Sequence, residues 1–156
     1  MNNPDSNPAA ATVLVDVPNA QAPAAGLTTG GRPRPEHLRQ AQAAGVKTVI
    51  NLCPHSEPCD YDEPGLVASL GMRYVNIPVA GAVDLTADNA RRLDAALSQA
   101  AGAPALVHCA SGNRVGALFA VRAKLLHGAG IEEALAAGRA AGLKAMEPAV
   151  RGILSS

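Results

Sequence analysis

Two short apolar runs, residues 47–53 and 105–108, set the strongest limit on how this chain folds. A strand with one wet face alternates apolar and polar side chains. Val49-Ile50 and Ala105-Leu106-Val107 do not alternate, so their strands must be covered on both faces, as in a parallel sheet. Parallel strands need long crossovers, and helical patterns fill the gaps between the runs. A helix opens at Pro35, with Pro in its first turn, and stops at Gly45. Further helices are expected over 63–70, 86–100 (with Thr86 as N-cap), from 113 or 114 to 127, over 131–142 and over 148–154. Strands are expected over 12–17, 26–31 and 72–79, with loops over 19–25, 54–62 and 80–85. The predicted class is α/β, a central, mostly parallel sheet flanked by helices. Residues 1–11 are rich in Asn, Pro and Ala and are expected to be disordered; 12–156 are expected to form a single domain.

Composition narrows the partners. Acidic and basic residues number 13 each, so the chain carries no net-charge footprint for nucleic acid or an anionic membrane. Aromatics are 2% with no Trp, which removes base-stacking platforms and leaves Ala, Val, Leu and Ile to build the core. The three cysteines, Cys53, Cys59 and Cys109, are too few for a disulfide framework and lack zinc spacing. Neither a metal nor another cofactor is called for, and the acidic stretch around His55, Glu57, Asp60, Asp62 and Glu63 reads as a solvated loop with irregular ligand spacing. No signal peptide or membrane-length apolar run is present, so the expected compartment is the cytoplasm.

The chemistry concentrates where the strand at 105–108 ends. His108-Cys109-Ala110-Ser111-Gly112-Asn113-Arg114 joins that strand to a helix. Such a junction is an anion cradle: backbone N–H groups of Ala110 to Arg114 turn toward the loop centre, and the helix dipole adds positive potential. That field favours the thiolate of Cys109, the nucleophilic form. Gly112 permits the tight turn, Arg114 offers a planar fork for two oxygens of a phosphate, and Ser111 is placed to hydrogen-bond the sulfur or a bound oxygen. His108 is expected to face inward and hold the loop.

The stretch from Leu27 to about Leu143 resembles the bacterial phosphatase-like family, the phosphatase-like domain of β-lactamase hydrolase-like proteins. The resemblance rests on Thr48-Val49-Ile50-Asn51-Leu52, Gly71-Met72-Arg73-Tyr74, Ile77-Pro78-Val79, residues 108–116 and Gly138-Arg139-Ala140-Ala141-Gly142-Leu143. It implies a dual-specificity-phosphatase-like fold, Cys109 as the phosphate-attacking nucleophile and Arg114 as the phosphate clamp. It also implies an acid on the loop after residue 79, for which Asp84 is the first candidate and Asp88 the second. Cys53, in Asn51-Leu52-Cys53, matches the position of a thiol that traps an oxidised nucleophile, and so is a candidate redox partner of Cys109. Arg139 and Lys144 read as solvated helix-face charges.

The chain departs from tyrosine phosphatases at two points. Four residues, not five, separate Cys109 from Arg114, and Val115 stands where Ser or Thr is usual. The first reading is hydrolysis of a phosphomonoester, on a phosphorylated protein or a small phosphoester, through a phosphocysteine. A short loop also fits a rhodanese-like sulfurtransferase with a Cys109 persulfide. The third reading is a non-catalytic anion- or partner-binding module.

Overall fold

A computed structural model describes residues 11–156. Five strands, β1 (Gln21–Ala24), β2 (Leu27–Gly30), β3 (Thr48–Asn51), β4 (Arg73–Asn76) and β5 (Ala105–His108), form one sheet in the order β1-β2-β5-β3-β4. Only β1 runs antiparallel; the other pairings are parallel. Among the described residues six helices flank the sheet: α1 (Pro35–Ala43), α2 (Glu63–Ser69), α3 (Ala87–Gln99), α4 (Asn113–His127), α5 (Ile131–Ala140) and α6 (Glu147–Ser155). This is the expected α/β class, a mostly parallel sheet flanked by helices.

Every residue of β3 and β5 is buried, as their unbroken apolar runs require. Successive side chains feed opposite cores. Val49 and Leu106 join Leu38, Val46, Val67 and Met72 on the α1–α2 side. Ile50 and Val107 join Leu93, Leu118 and Leu135 on the α3–α6 side. The alternation carries past the end of β5. His108 reaches Glu63 on α2, and Cys109 belongs to the α3–α6 core. One two-residue period thus sends the two functional-looking side chains to opposite faces.

Two expectations are corrected. Residues 12–17 form no strand. Val15 and Val17 are buried, but the backbone there bonds to side chains: Leu14 N–H donates to Thr28 Oγ1 and Asp16 N–H to Gln40 Oε1. A β-branched run supplies strand propensity, yet here its amides go to the side chains of Thr28 and Gln40 and not to a neighbouring strand. The second correction concerns 19–25, expected as a loop. It contains β1, which pairs with β2 across the two-residue turn Ala25-Gly26. β1 lies at the sheet edge, where its Pro23 is tolerated.

β4 is shorter than the expected 72–79. Ile77 N–H and Val79 N–H still bond to Asn51 O and Leu52 O, but Pro78 between them has no N–H to donate. The disorder expected over 1–11 lies, Ala11 apart, outside the described residues. Among the described residues no helix is long and apolar enough to cross a membrane.

Candidate active site

The parallel strands all end on one side of the sheet, and the loops there hold the candidate residues. Cys109 follows β5 directly, and its N–H donates to Gly30 O at 3.2 Å. The next carbonyls of the loop point outward. Ala110 O accepts from Arg32 N–H (3.1 Å), Ser111 O from the Asn19 amide (2.9 Å) and Gly112 O from Gly116 N–H (3.1 Å). With those carbonyls directed away, the loop can turn its amides inward. Gly112 N–H donates to Cys109 Sγ at 3.1 Å, while Ser111, expected to bond the sulfur or a bound oxygen, is exposed. The N–H groups of Ala110, Ser111, Asn113 and Arg114 donate to no protein acceptor among the described residues. Gly112 caps α4 at φ 97°, a left-handed conformation that a side chain resists.

The loop is held from behind by α5 and the turn after it. A Cβ on Gly116 would collide with the backbone N of Leu143 and lie 2.6 Å from Gly138 O. Asn113 turns its side chain away from the loop centre, and its Oδ1 accepts from Lys144 N–H (2.8 Å) and Met146 N–H (3.4 Å). The Gly138–Leu143 stretch is therefore a backbone-to-backbone support for the start of α4. Arg139 is not turned to the loop; it pairs with Glu147 at 2.7 Å.

Arg114 is anchored on three sides. Nη1 donates to Glu57 Oε2 (2.7 Å) and Val79 O (2.8 Å), and Nη2 donates to Glu57 Oε1 (3.0 Å). The second Nη2 proton has only Cys53 Sγ, at 3.8 Å. A guanidinium has five N–H donors, so Nε–H and one Nη2–H remain for an oxyanion. The Glu57 carboxylate keeps Arg114 firmly a cation, and in return the guanidinium holds the Glu57 carboxyl below the usual carboxylate range.

Asp84 ends a short 3-10 turn over Ala82–Asp84. Its Oδ2 accepts from Ala80 N–H at 2.8 Å, and Asn89 Nδ2 donates to its main-chain O. Ala80 is the residue after Val79, whose carbonyl holds Arg114, so the Asp84 turn sits against the Arg114 anchor. Asp88 instead lies in the first turn of α3, exposed, facing Arg91 and Arg92.

Cys53 and Cys109 are both fully buried and both unpaired, whereas Cys59 is exposed. Burial pushes the Cys53 thiol up to about 11, and Arg32 and Arg114 offset part of that rise. His108 is 0% exposed; its Nε2 lies 2.5 Å from Glu63 Oε2 and its Nδ1 3.3 Å from Cys109 O. Glu57 and Glu63 are the residues that sequence reading missed. Both fall in an acidic stretch that looks like a solvated loop, and nothing in its spacing marks which carboxylates turn inward. Among the described residues no three His, Cys, Asp or Glu side chains gather as a metal group.

Known proteins share this arrangement at the level of fold. A candidate phosphatase (DUF442) from Shewanella putrefaciens CN-32 is 27% identical, covers 90% of this chain and 93% of its own, and superposes with a TM-score of 0.66. Tk-PTP in its active form is 18% identical over 88% of this chain and 96% of its own, with a TM-score of 0.67. A candidate phosphatase from Neisseria meningitidis z2491 is 19% identical over 83% of this chain and 94% of its own, with a TM-score of 0.66. No curated protein matches the chain. Residues 26–125, from the start of β2 into α4, match the family model of the phosphatase-like domain of β-lactamase hydrolase-like proteins, and the chain belongs to that family.

Proposed function

We propose that the chain is a cysteine-dependent hydrolase of phosphomonoesters, with residues 12–156 as one catalytic domain and Cys109 as its nucleophile. One observation carries the reading. The undonated amides of Ala110, Ser111, Asn113 and Arg114 and the open Nε/Nη2 edge of Arg114 surround the start of α4, where Cys109 Sγ already accepts the Gly112 amide. Together these are a ready-made receptor for the three equatorial oxygens of a phosphoryl group, with a sulfur at its base.

The reaction runs in two displacements. The Cys109 thiolate attacks phosphorus, the P–O ester bond breaks, and Asp84 gives its proton to the leaving alkoxide. Water then attacks the phosphocysteine, the P–S bond breaks, and the Asp84 carboxylate takes the water's proton. Oδ1 of Asp84, which has no protein partner among the described residues, is the atom for that transfer. Ala110, Ser111, Gly112 and Asn113 contribute backbone N–H groups, and Arg114 contributes charge. No metal or cofactor enters these steps. The substrate is a phosphorylated protein or a small phosphoester. A free-thiol catalyst works in a reducing compartment such as the cytoplasm.

A second reading, sulfur transfer through a Cys109 persulfide, is favoured by the four-residue loop and by Val115, which is fully buried and brings no hydroxyl to the sulfur. Parallel assays separate the two. Phosphate release from an aryl phosphate, absent in Cys109→Ser, is the expected result. Thiocyanate formation from thiosulfate and cyanide, with no phosphate release, would replace the first reading by the second. Silence in both assays leaves the cradle as a binding module.

A further inference from the structure

A cavity of about 230 Å³ lies beside the candidate active site and includes neither Cys109 nor residues 110–114. Arg32, Asn51, His55, Tyr61, Glu63 and Tyr74 form most of its wall. It is half-open and offers many times the room that one water needs.

Most polar groups of the wall are already satisfied. Tyr74 Oη accepts from Asn51 Nδ2 (3.0 Å) and meets His55 Nε2 (3.1 Å), and the two rings stack at 6.2 Å. Tyr61 Oη donates to Pro33 O. Glu57 is held by Arg114, and Asp62 accepts from Gly65 N–H. Two groups are unspent. Glu63 is 2% exposed, and its Oε1 has no hydrogen-bond partner. The Arg32 guanidinium donates no hydrogen bond to any described residue, and its Nη1 stops 3.6 Å from that same oxygen, too far for one. A buried carboxylate oxygen without a donor is costly. Here it stands 3.6 Å from the Arg32 guanidinium, its ion-pair partner but not a hydrogen-bond donor to it, on the wall of a cavity.

We propose that this cavity is a second binding site and takes a small zwitterion of the α-amino carboxylate class. Its ammonium donates to Glu63 Oε1 and its carboxylate accepts from Arg32. The class follows from the wall. A simple anion meets Arg32 but leaves Glu63 Oε1 unpaired beside it, and a simple cation pairs with Glu63 but is repelled by Arg32. A molecule with both charges joined through one carbon satisfies both groups at once. Binding, not turnover, reads the proposal, so it stands or falls apart from the phosphatase reading.

The test is a two-dimensional amide NMR titration of the full chain with glycine, and with acetate and methylamine as its separate halves. Glycine should give saturable shifts at Arg32, His55, Glu63 and Tyr74, and the halves should give none at the same concentration. Arg32→Gln should weaken glycine binding about tenfold or more, the loss of a charge-assisted hydrogen bond. Arg32 makes no side-chain hydrogen bond but pairs with Glu63 at 3.6 Å, so circular dichroism checks that the variant is folded; Glu63→Gln should weaken binding similarly. Inorganic phosphate, directed to the cysteine loop, should bind without displacing glycine. No saturable shift with glycine at tens of millimolar would mean that only water fills the cavity, and would overturn the proposal. So would binding of acetate or methylamine as strong as that of glycine, or unaltered binding by Arg32→Gln.

Discussion

Both oxygens of the Glu57 carboxylate take hydrogen bonds from the Arg114 guanidinium, at 2.7 and 3.0 Å, across 57 residues of sequence. Arg114 is the cation expected to bind substrate, yet one whole edge of it is committed to the protein. The commitment fixes the orientation of the other edge. Removing Glu57 should therefore leave the charge in place and lose its aim. Glu57→Gln is expected to lower kcat/KM for an aryl phosphate by up to about 10²-fold, the scale of a 1 Å misplacement, with the fold intact by circular dichroism. Unchanged kinetics would show that Arg114 is positioned by Val79 O alone.

Arg114→Lys separates geometry from charge. Lysine keeps the cation but presents a point charge, not a two-pronged edge. A loss of about 10²–10³ in kcat is expected, the usual range for removing one preorganised donor of transition-state charge. Cys109→Ser should abolish phosphate release altogether. Turnover in Cys109→Ser would displace Cys109 from the nucleophile's role.

Gly116 sets how close α4 can lie to the turn after α5. In Gly116→Ala the new methyl meets Leu143 N and Gly138 O, which are backbone atoms and cannot swing aside. Overpacking of this kind costs typically about 1–3 kcal/mol. Thermal unfolding should show a lower Tm, and because the displaced segment supports the cysteine loop, activity should fall in the fraction that stays folded. A Tm equal to that of the wild type would mean that the two backbones separate freely.

Alkaline pH should expose Cys53. Burial pushes its thiol up to about 11 in the folded chain, from an ordinary value of 9.0. A raised acid keeps its proton longer when folded than when unfolded, so its stabilising effect is complete below pH 9 and is lost as pH rises toward 11. Urea midpoints should fall from pH 9 to 11 in the wild type by more than in Cys53→Ala. Tyr61 and Tyr74 are raised as well, and they remain in both proteins, so the difference isolates Cys53. Parallel curves would show that Cys53 titrates normally.

The same high value bears on redox chemistry. If Cys53 is the partner of Cys109, peroxide converts Cys109 to the sulfenic acid, and the Cys53 thiolate then displaces hydroxide to form the disulfide. A protonated Cys53 makes that second step slow at neutral pH. A Cys53–Cys109 crosslinked peptide should appear in mass spectra after peroxide, and faster at pH 10 than at pH 7. Peroxide oxidation that stops at sulfinic acid, with no such peptide at either pH, would remove Cys53 from this role.

The local sequence was enough to place β3, β5 and α4 and the loop between the last two, because each depends on short-range chemistry. An unalternating apolar run demands cover on both faces, a glycine permits a left-handed turn, and a helix start presents free amides. Cys109 and Arg114 were legible for the same reason. Long-range pairing was not. Residues 12–17 have strand propensity but bond to the side chains of Thr28 and Gln40, while 21–24 lack it and pair with β2 anyway, since edge pairing depends on the neighbour more than on the strand. Likewise nothing within residues 54–63 distinguishes Glu57, which turns to Arg114, or Glu63, which turns to His108, from the solvated carboxylates around them. Only the folded chain brings those partners into reach, and a carboxylate's surroundings, not its identity, decide whether it is an exposed charge or the anchor of a site.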